Sequence, residues 1–172
     1  MNVRPAMAAL AAALSLAGCA TAQKPAAAPP APKPDPAAEA YAARKASDFA
    51  RAEVIATAAI DAGQGSARVY FERGVSRMAL GKREEALADL RKLNEIQEDP
   101  AALLLAGSIE MQLGRWPEAE KDLARAVQLD AGNARAWASL AQARIALRDL
   151  PGATAAYEKA VELEPDNTLI RQ

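Results

Sequence analysis

Between residues 134 and 167 the apolar positions fall into two stripes of helical period. Trp137, Leu140 and Ala141 stand at i, i+3 and i+4, and Ala153, Tyr157, Ala160 and Val161 at i, i+4, i+7 and i+8. Each half therefore lays one apolar stripe along a helix. Leu150-Pro151-Gly152 breaks the pattern between the halves, and Pro165 ends the second. Two helices this short cannot bury both their faces, and the chain supplies neighbours directly upstream. Tyr70, Gly74, Leu80-Gly81, Ala86, Leu90, Leu93 and Ile96 recur 33 residues later as Leu103, Gly107, Leu113-Gly114, Ala119, Leu123, Ala126 and Leu129. After a further 34 they recur as Trp137, Ala141, Leu147-Arg148, Ala153, Tyr157, Ala160 and Leu163. The period predicts stacked helical hairpins over 67–99, 100–133 and 134–167.

The recurring residues have physical reasons to recur. Gly74, Gly107 and Ala141 let helix backbones approach closely, and Ala86, Ala119 and Ala153 do the same from the other side. Gly81 and Gly114 accept the left-handed conformation that stops a first helix. Pro117 and Pro151 fall in the first turn of second helices, and Asp99-Pro100 starts a helix as a cap followed by proline.

This register resembles the tetratricopeptide repeat (TPR), with high specificity over 67–167 and weakly over 33–66. The resemblance implies an all-α solenoid of helical hairpins whose first helices line a concave surface where peptide or helical ligands lie. Carried onto this chain, the concave positions are Arg68, Phe71, Val75 and Met78 in one unit, Ala101, Leu104, Ser108 and Met111 in the next, and Arg135, Ala138, Gln142 and Ile145 in the last. They describe an apolar groove with two arginines at its edge, suited to an amphipathic helix or an extended apolar segment of a protein partner. The Lys/Asn carboxylate clamp of chaperone-binding relatives is missing.

Two departures from the family are expected to matter. Arg73 stands where the family has leucine, which implies looser packing on the upstream neighbour. Arg77, Glu110 and Arg144 stand where it usually has tyrosine; they form either a stacked charge ladder or three solvated charges at a rim.

Upstream, Asp35-Pro36 opens another helical stretch, which runs without glycine or proline from Ala37 to Ala62. Residues 37–66 form either one capping helix, which could fold back over the concave groove, or a degenerate hairpin broken near Ser47-Asp48. At the other end only 168–172 follow the last repeat in this sequence. Its outer side is expected to be uncapped, with Leu147, Leu150, Ala156, Val161 and Leu163 available to a partner or a second copy.

Composition narrows the function classes. Hydrophobic residues make up 51% but aromatics only 4%, so the apolar content is mostly alanine and leucine, which suits close-packed helices. Lys+Arg 21 against Asp+Glu 22 gives no argument for nucleic acid as a partner. Histidine is absent, and no phosphate loop, metal-ligand spacing or nucleophile motif stands out. Carboxylate pairs such as Glu84-Glu85 and Glu162/Glu164 read as solvated helix faces. The expectation is a protein that is not an enzyme and holds no cofactor or metal.

The first residues carry an address. Arg4, the apolar run 6–16 and Leu16-Ala17-Gly18-Cys19 resemble the lipobox of bacterial lipoproteins. The resemblance implies a signal peptide over 1–18, cleavage before Cys19, and a lipid anchor on its thiol. The single cysteine of the chain stands at the one place that motif needs it. Ala20 rather than Asp after it implies outer-membrane sorting with the domain facing the periplasm. The rest of the tether 19–36 holds six of the eleven prolines in ATAQKPAAAPPAPKPDP, which favours an extended polyproline II spacer of roughly 50 Å. These features together predict a lipid-anchored TPR adaptor, by analogy one serving pilus, secretin or other envelope assembly. The alternatives are a self-associating structural lipoprotein and a non-catalytic regulator of a peptidoglycan enzyme.

Overall fold

The computed structural model describes residues 35–165. The expected signal peptide over 1–18, Cys19, the expected tether up to residue 34 and residues 166–172 lie outside the described residues. Among the described residues there are eight α-helices and no strands: α1 Pro36–Lys45, α2 Phe49–Asp61, α3 Ala67–Ala79, α4 Arg83–Ile96, α5 Pro100–Gln112, α6 Trp116–Leu129, α7 Ala134–Ala146 and α8 Leu150–Leu163. They pair in chain order as four antiparallel hairpins, each packed on the next. Of the two readings left open for the N-terminal stretch, the hairpin is the one found.

The helix starts follow from local chemistry. Asp35, Asp48, Ser66, Asp99, Asn133 and Asp149 each accept a hydrogen bond from a backbone N–H of the helix that follows. Pro36, Pro100, Pro117 and Pro151 sit in first turns, where a missing N–H costs little. The hairpin turns share one geometry: the second residue of each three-residue connection is left-handed. Glycine holds that place at Gly81 and Gly114, but Ser47 (φ 61°) and Arg148 (φ 65°) hold it in the first and last hairpins.

Core formation is serial rather than central. One cluster joins Ala37, Ala40, Ala56, Ala59 and Val69 of the first three helices. A second gathers Leu87, Leu90, Leu93, Ala102, Ala106 and Ile109 at the α4–α5 junction. The third, around Leu123, Leu140 and Ala141, binds the last two hairpins. Each hairpin thus completes its apolar face only against its neighbour, as expected of a repeat array. First helices touch directly where α1 meets α3 and α5 meets α7, whereas α3 and α5 are held together mainly through α4.

Arg73 is held mainly inside its own hairpin, with one bond to the upstream neighbour. Its guanidinium bonds both oxygens of Asp89 on α4 at 2.7–3.1 Å, reaches Thr57 on α2 at 3.3 Å, and lies 5.7 Å from the centre of the Tyr70 ring. With both partners nearly covered, the pair replaces the apolar contact of a leucine by a bidentate bond. The charge trio also differs from both expectations. Arg77 pairs with Glu53 and Asp89, Glu110 with Arg91, and Arg144 with Glu120, so each meets second helices rather than the others of the trio. The Arg144–Asp149 approach, at 3.9 Å, is the longest of these contacts. Ladder and solvated rim are both corrected: Glu110 is only 1% exposed.

The C-terminal list needs one correction. Leu147, Leu150 and Leu163 are exposed and Val161 is half-buried, but Ala156 is buried in the third cluster. No helix of the described residues is long and apolar enough to cross a membrane.

Candidate protein-binding groove

The first-helix face carries a cavity of about 410 Å³ where α3 and α5 begin. Arg68 and Phe71 of α3 and Ala101 of α5 line it, as the concave register expects. Tyr41 and Arg44 of α1 form one wall, and Leu93 and Gln97 at the end of α4 close the other. The α3–α5 gap exists because α4, not α3, carries most of the contact to α5.

Charge in this cavity is held in place rather than free. Arg44 donates from Nε to Glu72 Oε2 at 2.6 Å and lies 5.2 Å from the Tyr41 ring centre, so a buried carboxylate and an aromatic face fix one guanidinium. Arg68 lies 3.5 Å from Asp35, the cap of α1, and both are exposed. The lining offers an aromatic and aliphatic floor from Phe71, Tyr41 and Leu93 with polar groups at its edge, which suits an apolar side chain of a peptide with hydrogen bonds at the rim.

The remaining expected positions separate by depth. Val75, Met78 and Met111 are half-buried, with Met78 packed on the second core cluster and Met111 on the third. Leu104 is a correction: at 8% exposure it belongs to the third cluster, because α5 is covered by α7 at that point. Ser108 is half-buried and donates its hydroxyl to the Leu104 carbonyl at 2.8 Å, which spends it inside its own helix. Arg135, Gln142 and Ile145 are exposed and Ala138 is half-buried on α7, outside the cavity of α1, α3 and α5. The N-terminal helix does not lie along the groove. It takes the place of a first helix beside α3 and so extends the face instead of covering it.

Sequence reasoning missed Tyr41, Arg44, Leu93 and Gln97. The first two became legible only with the break at Ser47, since a hairpin there puts α1 in register as a further first helix. Leu93 and Gln97 lie on a second helix whose C-terminal end turns into the groove, a placement that periodicity does not carry.

The profile of the tetratricopeptide-repeat family matches residues 76–134 and 104–168, together more than half of the chain. The chain belongs to the tetratricopeptide-repeat family. Solved structures with this TPR arrangement agree. MamA (residues 41 to the end) from Desulfovibrio magneticus RS-1 is similar with a TM-score of 0.74 at 18% identity, covering 81% of each chain. YrrB, described as a TPR protein with an unusual peptide-binding site, gives a TM-score of 0.71 at 21% identity over 77% of this chain and 69% of its own. The first TPR domain of Spaghetti (RPAP3), solved bound to the HSP90 peptide SRMEEVD, is 30% identical over 62% of this chain and 85% of its own, with a TM-score of 0.59.

Proposed function

We propose that this TPR protein is a non-catalytic adaptor that holds a segment of a protein partner on its first-helix face, with the Tyr41–Phe71–Leu93 cavity taking an apolar anchor side chain. The observation that carries this reading is that cavity, open between α3 and α5 and edged by Arg68 and Ala101. The peptide-bound Spaghetti domain supports it by likeness. The groove differs from a carboxylate clamp in its apolar floor, so an internal extended or helical segment is the expected ligand rather than a chain terminus.

Location and pathway belong to the same proposal. Cys19 would carry the lipid that anchors the chain to the periplasmic face of the outer membrane, and the tether would hold the helices away from the bilayer. A role in pilus, secretin or envelope assembly rests on analogy with small TPR lipoproteins.

Crosslinking in cells tests the groove. Arg68→Glu and Ala101→Glu alter exposed residues that the core does not need. Loss of one partner band in both variants is the expected outcome, and an unchanged crosslink pattern would exclude the groove. Fractionation of a Cys19→Ser variant should move the protein from membranes to the soluble pool; continued membrane association would contradict the anchor.

Self-association is the second reading. It is favoured by a depression on α8 lined by Thr154, Tyr157, Glu158, Val161 and Glu162. Tyr157 and Val161 are the repeat equivalents of Leu123 and Val127, which α6 packs in the same cluster as α7. A concentration-independent monomer in sedimentation would exclude this reading.

A further inference from the structure

Successive hairpin junctions can be compared position by position through the repeat offset, and the first two carry different charges. At the first, Arg73 and Arg77 of α3 lie between α2 and α4. Arg73 bonds Asp89 in a fork, with Nη2 to Oδ1 at 2.7 Å and Nε to Oδ2 at 3.0 Å. Arg77 adds bonds of 2.9 Å to Asp89 and 3.0 Å to Glu53. The buried acid of this junction is therefore met by two guanidinium groups of the chain itself.

At the second junction, 33 residues on, Asp122 takes the place of Asp89, but Ala106 and Glu110 stand where Arg73 and Arg77 were. The acid is kept and both arginines are gone. Between α4 and α6, with Leu103 and Glu110 of α5 among its lining, there is a cavity of about 840 Å³. Its lining holds six acidic and three basic side chains. Three of those acids already have basic partners, Glu95 in Lys92, Glu98 in Arg125 and Glu120 in Arg144.

Glu110 is 1% exposed. Its Oε1 accepts from Arg91 at 2.9 Å, while its Oε2 is buried with no hydrogen-bond partner among the described residues. The Asp122 side chain makes no hydrogen bond among the described residues. Burial pushes the Glu110 carboxyl up, the neighbouring Asp122 adds to this, and Arg91 opposes it; burial likewise pushes Asp122 up, against the charges of Arg91 and Lys121. Arg91 itself is a half-exposed side chain from the neighbouring hairpin and meets only one of the two acids with a hydrogen bond. A buried acceptor without a donor is costly, and a donor brought by a ligand relieves that cost.

We propose that the α4–α6 cleft is a second binding site, lined by residues other than those of the groove, for one arginine side chain presented by a protein partner. The guanidinium would lie against Asp122 and Glu110 as Arg73 lies against Asp89 one repeat earlier, with its aliphatic stem along Leu103 and Ala124. Two features select this ligand. The fork geometry at Asp89 shows what this position of the repeat does with a guanidinium, and a planar donor matches two carboxylates better than an ammonium does. Among the described residues no three acidic side chains converge as metal ligands would, which favours an organic cation over a metal ion.

Nuclear magnetic resonance titration of the full chain tests this, with the capped peptide acetyl-Gly-Arg-Gly-amide as probe and its citrulline counterpart as the uncharged control. Saturable shifts confined to α4, α5 and α6 are expected with the arginine peptide at millimolar concentration and not with citrulline. Glu110→Gln and Asp122→Asn should each weaken binding by about tenfold or more, since each removes one charge-assisted acceptor. Ala106→Arg, which restores the residue of the first junction, should abolish binding by filling the cleft from within. Absence of shifts up to about 20 mM peptide, equal shifts with citrulline, or affinity unchanged in both acid variants would overturn the proposal. Helicity by circular dichroism confirms that each variant is folded, and the two acid variants keep the test sound if Ala106→Arg is not.

Discussion

A methyl group added at two equivalent glycines should have opposite effects. Gly74 and Gly107 occupy the same repeat position, and in both cases the second helix of the hairpin faces them with a leucine, Leu90 or Leu123. At Gly74 an added Cβ would meet Leu90 Cδ2 and Cγ at 3.4 Å and the Ala86 carbonyl at 3.5 Å, which is contact without overlap. At Gly107 it would meet Leu123 Cγ at 2.6 Å, Cδ2 at 3.0 Å and Cδ1 at 3.2 Å. Optimal carbon separations are about 3.5–4.0 Å, so the second methyl overlaps the branch point of a side chain, which rotation about χ2 cannot move aside. Leu123 is fully buried, which leaves it nowhere to go. Overpacking of this kind costs about 1–3 kcal/mol, against a gain of about 1 kcal/mol from replacing a mid-helix glycine by alanine. Gly74→Ala is therefore expected to be neutral or stabilising by up to about 1 kcal/mol, and Gly107→Ala destabilising by about 1–2 kcal/mol. Urea unfolding followed by far-ultraviolet circular dichroism measures both, with m-values checked because repeat arrays can unfold in parts. A Gly107→Ala, Leu123→Ala double variant should lose less than the sum of its singles, since the methyl fills part of the space that Leu123 vacates. A Gly107→Ala variant as stable as Gly74→Ala would refute the reasoning. The third equivalent is already alanine, Ala141, and there Tyr157 replaces the leucine.

Three further outcomes follow from named residues. Asp89→Ala leaves Arg73 and Arg77 without their shared carboxylate at a covered site and should cost about 3–5 kcal/mol in denaturant unfolding, with adding Arg73→Leu to it recovering much of the loss. Arg148→Gly relieves a left-handed residue at an exposed turn and should raise stability by about 0.5–1 kcal/mol, read as a shift in the urea midpoint at unchanged m-value. Glu110 binds its proton more tightly folded than unfolded, so its contribution is fully present below the ordinary glutamate range and is lost as pH rises through the elevated folded value. The stability of the wild type relative to Glu110→Gln should accordingly fall as pH rises above the ordinary glutamate value of about 4.3; a flat difference would show that Glu110 is not desolvated.

Over residues 67–167 the sequence alone determined the helices and their pairing, because both are local. A stripe of period 3.6, a cap such as Asp99 before Pro100 and a left-handed glycine such as Gly114 act within a few residues, and the 33–34 spacing repeats them in register. The same patterns left residues 37–62 open, since the left-handed turn there falls on Ser47, which announces no turn as glycine does. Only the tertiary structure decided which concave positions are open. Leu104 and Phe71 occupy the same register, yet α7 covers one while the gap between α3 and α5 exposes part of the other. The charges were decided there too. Arginine is long enough to choose among several acids across a junction, so Arg73 found Asp89, Arg77 found both Asp89 and Glu53, and Glu110, buried where its repeat equivalents are arginines, was left with one oxygen unpaired.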